Sequence, residues 1–203
     1  MKIAGFLPLT LSDYPGCCAA MVFTRGCNWR CPFCHNARLW DDTTESTDQE
    51  WVLSKLQQRQ RLLDGVVVSG GEPTLQPDLP DFLRQLKTMG LRVKLDTNGS
   101  HPNVLQQLLS EDLVDFVAMD IKAPWFRYSE LAGVAVDVAA LKISVQHIVA
   151  WGGGHQFRTT YIPDLLTETD LHHIRRALPV NAIYQTQPFI PELAADALLR
   201  RAG

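Results

Sequence analysis

Short runs rich in apolar and β-branched residues alternate along this chain with segments whose apolar residues recur every three or four positions. The first kind predicts strands over residues 19–24, 65–69, 91–96, 115–120, 157–162 and 182–186. The second predicts helices. Thr47-Asp48-Gln49-Glu50 has the form of a capping box ahead of Trp51, Val52, Leu53 and Leu56. Residues 81–89 carry Phe82, Leu83 and Leu86 and stop at Gly90. Residues 104–109 and 138–151 continue the pattern, the latter stopped by Gly152-Gly153-Gly154. Thr167-Glu168-Thr169-Asp170 opens the last clear helix, which runs to Leu178 before Pro179. Strand–helix alternation implies βα units and a parallel sheet. No repeat and no linker divides the chain, so residues 1–203 read as a single domain. These units are too few for a closed eight-stranded barrel, leaving an open doubly wound sheet or an incomplete barrel.

The unusual polar residues fall at the C-terminal ends of the predicted strands. A cysteine-rich loop follows the first, Gly70-Gly71-Glu72-Pro73-Thr74 the second, and Asp96-Thr97-Asn98-Gly99 ends the third. Asp120-Ile121-Lys122 ends the fourth, and Gln185 and Gln187 end the last. In parallel α/β architectures that edge is where sites are built.

Composition narrows the class. A hydrophobic content of 46% supplies a substantial core, and the net charge of −3 argues against non-specific nucleic-acid binding. No apolar run approaches the roughly 20 residues needed to span a membrane, and the N-terminus lacks a signal-peptide pattern. Of five cysteines, three sit in one loop, which is not a disulfide framework. The expectation is a cytoplasmic, reducing environment with neither membrane nor nucleic acid as partner.

The three are Cys27, Cys31 and Cys34, spaced C-x3-C-x2-C. Three thiolates so close can converge on one face of an iron–sulfur cube. A 4Fe-4S cluster normally takes four cysteines, so three leave one iron open for chemistry. Cys17 and Cys18 lie at the other end of an extended run, about 20 Å away at roughly 3.3 Å per residue, and read as small buried hydrophobes. A Cys3His zinc site using His35 is the alternative, strained because His35 adjoins Cys34. The glycines of Gly70-Gly71 let backbone approach a ligand closely, and their carbonyls with Glu72 offer acceptors for an ammonium group; an ordinary strand-to-helix turn is the simpler reading. Pro73 fixes the exit direction.

In this order and at these strand ends, Cys27, Cys31, Cys34, His35-Asn36 and Gly70-Gly71-Glu72-Pro73 resemble the signature of the radical S-adenosylmethionine (SAM) superfamily. The resemblance implies an α/β fold, a partial (β/α)6 barrel of parallel strands. It implies a 4Fe-4S cluster whose open iron is chelated by the amino and carboxylate groups of SAM. The implied chemistry is reductive cleavage of SAM to methionine and a 5′-deoxyadenosyl radical. Trp40-Asp41, Leu95-Asp96-Thr97-Asn98-Gly99 and Met119-Asp120-Ile121-Lys122 further resemble the glycyl-radical-enzyme activating enzymes, the group of pyruvate formate-lyase activase. Lys2-Ile3-Ala4-Gly5-Phe6 and Ser12-Asp13-Tyr14-Pro15-Gly16 look closest to the activating proteins of anaerobic (class III) ribonucleoside-triphosphate reductase.

What this resemblance implies is hydrogen abstraction from a backbone glycine of a partner glycyl-radical enzyme, with a flavodoxin- or ferredoxin-like reductant. It assigns contacts to SAM to Asn36, Gly70, Gly71, Glu72, Pro73, Asp96, Asn98, Lys122 and Arg158. It also implies a monovalent cation, Na+ or K+, held by Asp96, Thr97, the carbonyl of Ala118 and Asp120. Against these stand simpler roles: Asp96 capping a turn, Asp120 pairing with Lys122, and Arg158 in an interior ion pair. Where the family often has a histidine after the last strand, this chain has Gln187-Pro188-Phe189. The competing functions are activation of another glycyl-radical enzyme, radical chemistry on a small molecule, and a non-catalytic Fe–S or zinc module. His172-His173, Arg175-Arg176 and the triple glycine read as surface and helix stop. The segment Leu198-Leu199-Arg200-Arg201-Ala202-Gly203 suggests that one final helix follows the last strand, and the lack of cysteines after Cys34 leaves no second cluster.

Overall fold

The run Val66-Val67-Val68 has no polar alternation and every member is buried, as expected of a strand covered on both faces. It lies in β3 (Gly65–Gly70), near the centre of a seven-stranded sheet in a computed structural model that describes residues 1–41 and 46–201. In chain order the other strands are β1 (Ile3–Thr10), β2 (Ala19–Thr24), β4 (Arg92–Thr97), β5 (Phe116–Asp120), β6 (Gly154–Tyr161) and β7 (Tyr184–Pro188). Sheet order follows chain order, and β2 to β7 are parallel throughout. The sheet does not close, since β1 and β7 are its edges. The fold is thus α/β, a partial (β/α)6 barrel with one antiparallel strand added at its first edge.

That added strand is a departure from the sequence expectation. β1 contains Gly5 and Pro8, both unfavourable inside a central strand. At an edge Pro8 is tolerated, and the pairing with β2 shifts register between Leu7 and Thr10 to pass it.

The helices are α1 (Gln49–Arg59), α2 (Leu79–Thr88), α3 (Pro102–Ser110), α4 (Tyr128–Ala132), α5 (Val138–Trp151) and α6 (Glu168–Ala177). Their apolar faces, including Leu56, Phe82, Leu105 and Leu141, pack on the outward-pointing strand residues Val22, Val66, Leu95, Val117 and Phe157 in one core. The predicted capping box at Thr47 is absent. Thr47 N–H instead donates to Ile3 O at 2.8 Å, and Asp48 caps α1 one residue later. A capping box does form at the start of α6, between Thr167 and Asp170, where the sequence places the opening of the last helix.

The inward face differs. Ala19, Met21 and Val67 form an apolar floor with Tyr14 and Cys17. Register places Val67 beside Lys94 and Lys94 beside Phe116, so a charged side chain enters at that level. Above it Ser69, Asp96, Asp120 and Arg158 make most of the inward positions polar, with Phe23 and Ala118 the apolar ones, and the strand exits form the rim of a cavity. Cys17 is buried and Cys18 partly exposed, both at the opposite end of β2. After β7 the chain makes a tight turn over Leu199–Arg201; Ala202 and Gly203 lie outside the described residues. Among the described residues no helix is long and apolar enough to cross a membrane.

Candidate active site

A cavity of about 380 Å³ opens at the C-terminal edge of the parallel strands. Cys27, Cys31 and Cys34 line one end of it, with Trp29 and Phe33 buried between them. Few of the loop's tethers are local. Gly26 N–H donates to Leu39 O (2.8 Å) and Arg30 N–H to Ala132 O at the end of α4 (2.9 Å). Asn28 Oδ1 accepts from Asn98 Nδ2 at 2.9 Å, and Trp29 meets Tyr128 edge to face. Burial pushes the Cys27 thiol up to about 11, partly offset by the Trp29 N–H, and the Cys31 thiol up to about 12. Such thiols stay protonated until a metal takes them. Among the described residues no three His, Cys, Asp or Glu side chains converge on one ion. Three thiols, mostly shielded, thus line a cavity whose carboxylates Asp96 and Asp120 are paired with cations and whose imidazole, His35, accepts from Ile190 N–H. Soft thiolates in an apolar shell suit an iron–sulfur cluster, with one ligand fewer than a closed cluster uses.

The β3 exit is built against this loop. Gly70 has φ +118°, and a Cβ there would stand 2.4 Å from Thr24 N and O. A Cβ on Gly71 would stand 2.1 Å from Gly26 O. Both positions thus demand glycine, because the two backbones pass in contact. Glu72 has hydrogen-bond partners that the sequence did not show. Its side chain is fully buried and caps the turn Pro73–Leu75 by accepting from Thr74 N–H (3.0 Å). It also accepts from the Thr74 hydroxyl, Thr97 Oγ1 (2.7 Å) and Asn98 N–H (2.6 Å). Burial raises its pKa, and these donors oppose that. The carboxylate so occupied is a brace between the β3 and β4 exits, and Glu72 is also among the residues that line the cavity. Pro73 is buried and is not among the residues that line the cavity.

The opposite wall is charged. Asp96, Asp120, Lys122 and Arg158 line the cavity, as do Asn36, Thr97 and Asn98. Arg158 Nε lies 3.0 Å from Asp120 Oδ1 and Lys122 Nζ 2.9 Å from Asp120 Oδ2. Burial alone would raise the Asp120 pKa; Arg158 and Lys122 outweigh it and hold the carboxyl at about 2. Burial works against both cations too, and Asp120 overcomes it, raising each. The four residues implied as cation ligands do not form an open oxygen cage. Asp96 pairs with Lys94 and Arg158, Asp120 with Arg158 and Lys122, the Thr97 hydroxyl is turned to Glu72, and Ala118 lies mid-strand between β4 and β6.

Two features escaped the sequence reading. Lys94, 2% exposed, sits under Asp96; its signal was the alternation of polar Arg92, Lys94 and Asp96 with apolar Val93 and Leu95. His35 stacks on Phe189 at 5.6 Å and accepts from Ile190 N–H, joining the cysteine loop to the segment after β7. Gln187 reaches the cavity and donates to Thr160 Oγ1 at 2.8 Å.

The profile of the radical SAM superfamily matches residues 21–175. A Methanocaldococcus jannaschii protein bearing the name of a glycyl-radical enzyme activating enzyme is 32% identical over 96% of this chain and 82% of its own length. A pyruvate formate-lyase-activating enzyme of Clostridium pasteurianum is 37% identical over 60% of this chain, which spans about half of that relative (52%). Among solved structures, Streptococcus suis SuiB bound to its precursor peptide SuiA superposes with a TM-score of 0.68 at 15% identity, over 84% of this chain and 38% of SuiB. That likeness concerns the fold alone.

Proposed function

Because this chain belongs to the radical SAM superfamily and, within it, to the glycyl-radical-enzyme activating enzymes, we propose that it generates a glycyl radical on a partner protein, the anaerobic ribonucleoside-triphosphate reductase. It acts as a single radical SAM domain in the cytoplasm and takes its electrons from a flavodoxin- or ferredoxin-like protein. The observation that carries this reading is the placement of three cysteines and the charged wall of Asp96, Asp120, Lys122 and Arg158 around one cavity.

When bound, the 4Fe-4S cluster and SAM supply the one-electron chemistry that removes a hydrogen atom from carbon. The chain's own residues hold and orient them. Cys27, Cys31 and Cys34 are the cluster ligands, and the buried Trp29 and Phe33 keep water from them. Gly70 and Gly71 bring backbone acceptors to the rim for the amino group of SAM. Lys122 and Arg158 offer charge-assisted hydrogen bonds to its carboxylate. Asn98, tied to Asn28, keeps the β4 exit in register with the cysteine loop. The cavity lies along an unclosed sheet, so a peptide segment has a lateral way in.

The test is anaerobic: reconstituted protein, SAM, reductant and the reductase should give a doublet EPR signal on the reductase. A doublet on pyruvate formate-lyase instead would move the partner; that second reading is favoured by the similarity to pyruvate formate-lyase activating enzymes. Turnover of a small molecule with no protein radical would overturn the proposal.

A further inference from the structure

Five charged side chains form an unbroken series of alternating sign across the strand exits: Lys94, Asp96, Arg158, Asp120 and Lys122. Lys94 Nζ contacts Asp96 Oδ1, and Asp96 Oδ2 lies 3.5 Å from an Arg158 terminal nitrogen and 3.2 Å from Ser69 Oγ. Arg158 Nε takes Asp120 Oδ1 at 3.0 Å and Lys122 Nζ takes Asp120 Oδ2 at 2.9 Å. Every carboxylate oxygen of the two aspartates thus already faces a cationic nitrogen. Two negative charges meet three positive ones, leaving this wall one unit positive. A metal cation between the aspartates would raise that to two in a place where burial magnifies repulsion. It would also have to displace Arg158, the group that spans both carboxylates.

Lys94 is the least expected member. Its strand neighbours in register are Val67 and Phe116, and an apolar side chain would satisfy that level of the barrel. A buried ammonium is unfavourable unless paired, and Asp96 is its partner. We infer that Lys94 and Arg158 are built-in counter-ions that take the place of a monovalent metal ion at Asp96 and Asp120, with Lys94 as the positioning residue that fixes the Asp96 carboxylate at the cavity floor.

The experiment uses the full chain without cluster, SAM or partner, so its outcome is independent of the proposed function. Thermal melting is compared in KCl, NaCl and tetramethylammonium chloride at equal ionic strength, and crystals soaked in RbCl are read by anomalous scattering. The wild type should melt at one temperature in all three salts and show no rubidium beside Asp96 or Asp120. Lys94→Met should gain a rise in Tm of about 2–4 °C in KCl over tetramethylammonium chloride, the size of one modest interaction in a chain of this length, and a rubidium peak at Asp96. Lys94→Arg should behave as wild type. A rubidium peak at these aspartates in the wild type, or a wild-type Tm that rises with K+ alone, overturns the inference. So does a folded Lys94→Met that ignores K+. If Lys94→Met does not fold, the wild-type and Lys94→Arg arms decide.

Discussion

Replacing Gly71 by alanine tests how the cysteine loop is held. The added Cβ would stand 2.1 Å from Gly26 O, where real Cβ contacts are not found below 3.0 Å. One backbone must therefore retreat by about 0.9 Å. Neither is a flexible side-chain end: Gly26 O accepts the Glu72 N–H at 2.8 Å, and Gly71 N–H donates to Thr24 O at 3.0 Å. A retreat of that size carries the first bond beyond hydrogen-bonding range, a loss of about 1 kcal/mol. Overpacking adds roughly 1–3 kcal/mol. The expected total is about 2–4 kcal/mol, smaller than the stability of an ordinary domain, so the variant should fold. Its Tm should fall by roughly 5–15 °C, at about 2–4 °C per kcal/mol for a chain of this size. The displaced residue precedes Cys27, so iron bound after anaerobic reconstitution should fall more than secondary structure does. Gly90→Ala is the control: φ is +77° but nothing lies within 4 Å of its Cβ. It should lose about 1–2 kcal/mol through the left-handed conformation alone and keep its iron. If Gly71→Ala melts with wild type and binds iron fully, the close passage of the β3 exit against the cysteine loop does not hold the loop in place.

Three further outcomes are expected. Cys27→Ala, Cys31→Ala and Cys34→Ala should each abolish the visible absorbance of the reconstituted cluster, whereas Cys17→Ala and Cys18→Ala, at the far end of β2, should leave iron content unchanged. Asp120 is held at about 2, below its ordinary 3.8, so it contributes about 2 kcal/mol that is present above pH 3.8 and lost as pH falls toward 2. Asp120→Asn should remove that acid-labile part from the melting profile and destabilise by about 3–5 kcal/mol at neutral pH by leaving Lys122 without its carboxylate and Arg158 with Asp96 alone. Glu72→Gln sets an amide NH2 among donors, against Asn98 N–H or the threonine hydroxyls, and should lose about 1–3 kcal/mol, with faster hydrogen exchange at Asn98; unchanged exchange there would remove the brace role given to Glu72.

The parallel strands were legible because their cause is local. Val66-Val67-Val68 needs no partner to announce a strand buried on both faces, and the cysteine spacing announces its donor set wherever the loop lies. What was not legible depends on register and on contacts distant in sequence. Thr47 has the composition of an N-cap, yet its N–H is drawn into a bridge with Ile3, which no local pattern records. β1 was hidden by Gly5 and Pro8, residues that argue against a strand until an edge position is known. Glu72 was expected to face a ligand because of its motif. Its direction is set by the turn that Pro73 begins and by Thr97 and Asn98 on another strand.

The charged wall combines both kinds of information. Lys94 and Asp96 lie two residues apart on one strand and so share a face by periodicity alone. Arg158 joins them only because β5 and β6 align Asp120 with Arg158. A sequence motif that names Asp96 and Asp120 as oxygen donors is therefore incomplete as chemistry: whether they await a cation depends on which cations the neighbouring strands already present. Here there are three, Lys94 from the strand of Asp96, Lys122 from just beyond β5 and Arg158 from β6, and they leave the wall positive toward the cavity. Such a wall favours an anionic group from the ligand over a further metal ion, the polarity that a SAM carboxylate requires.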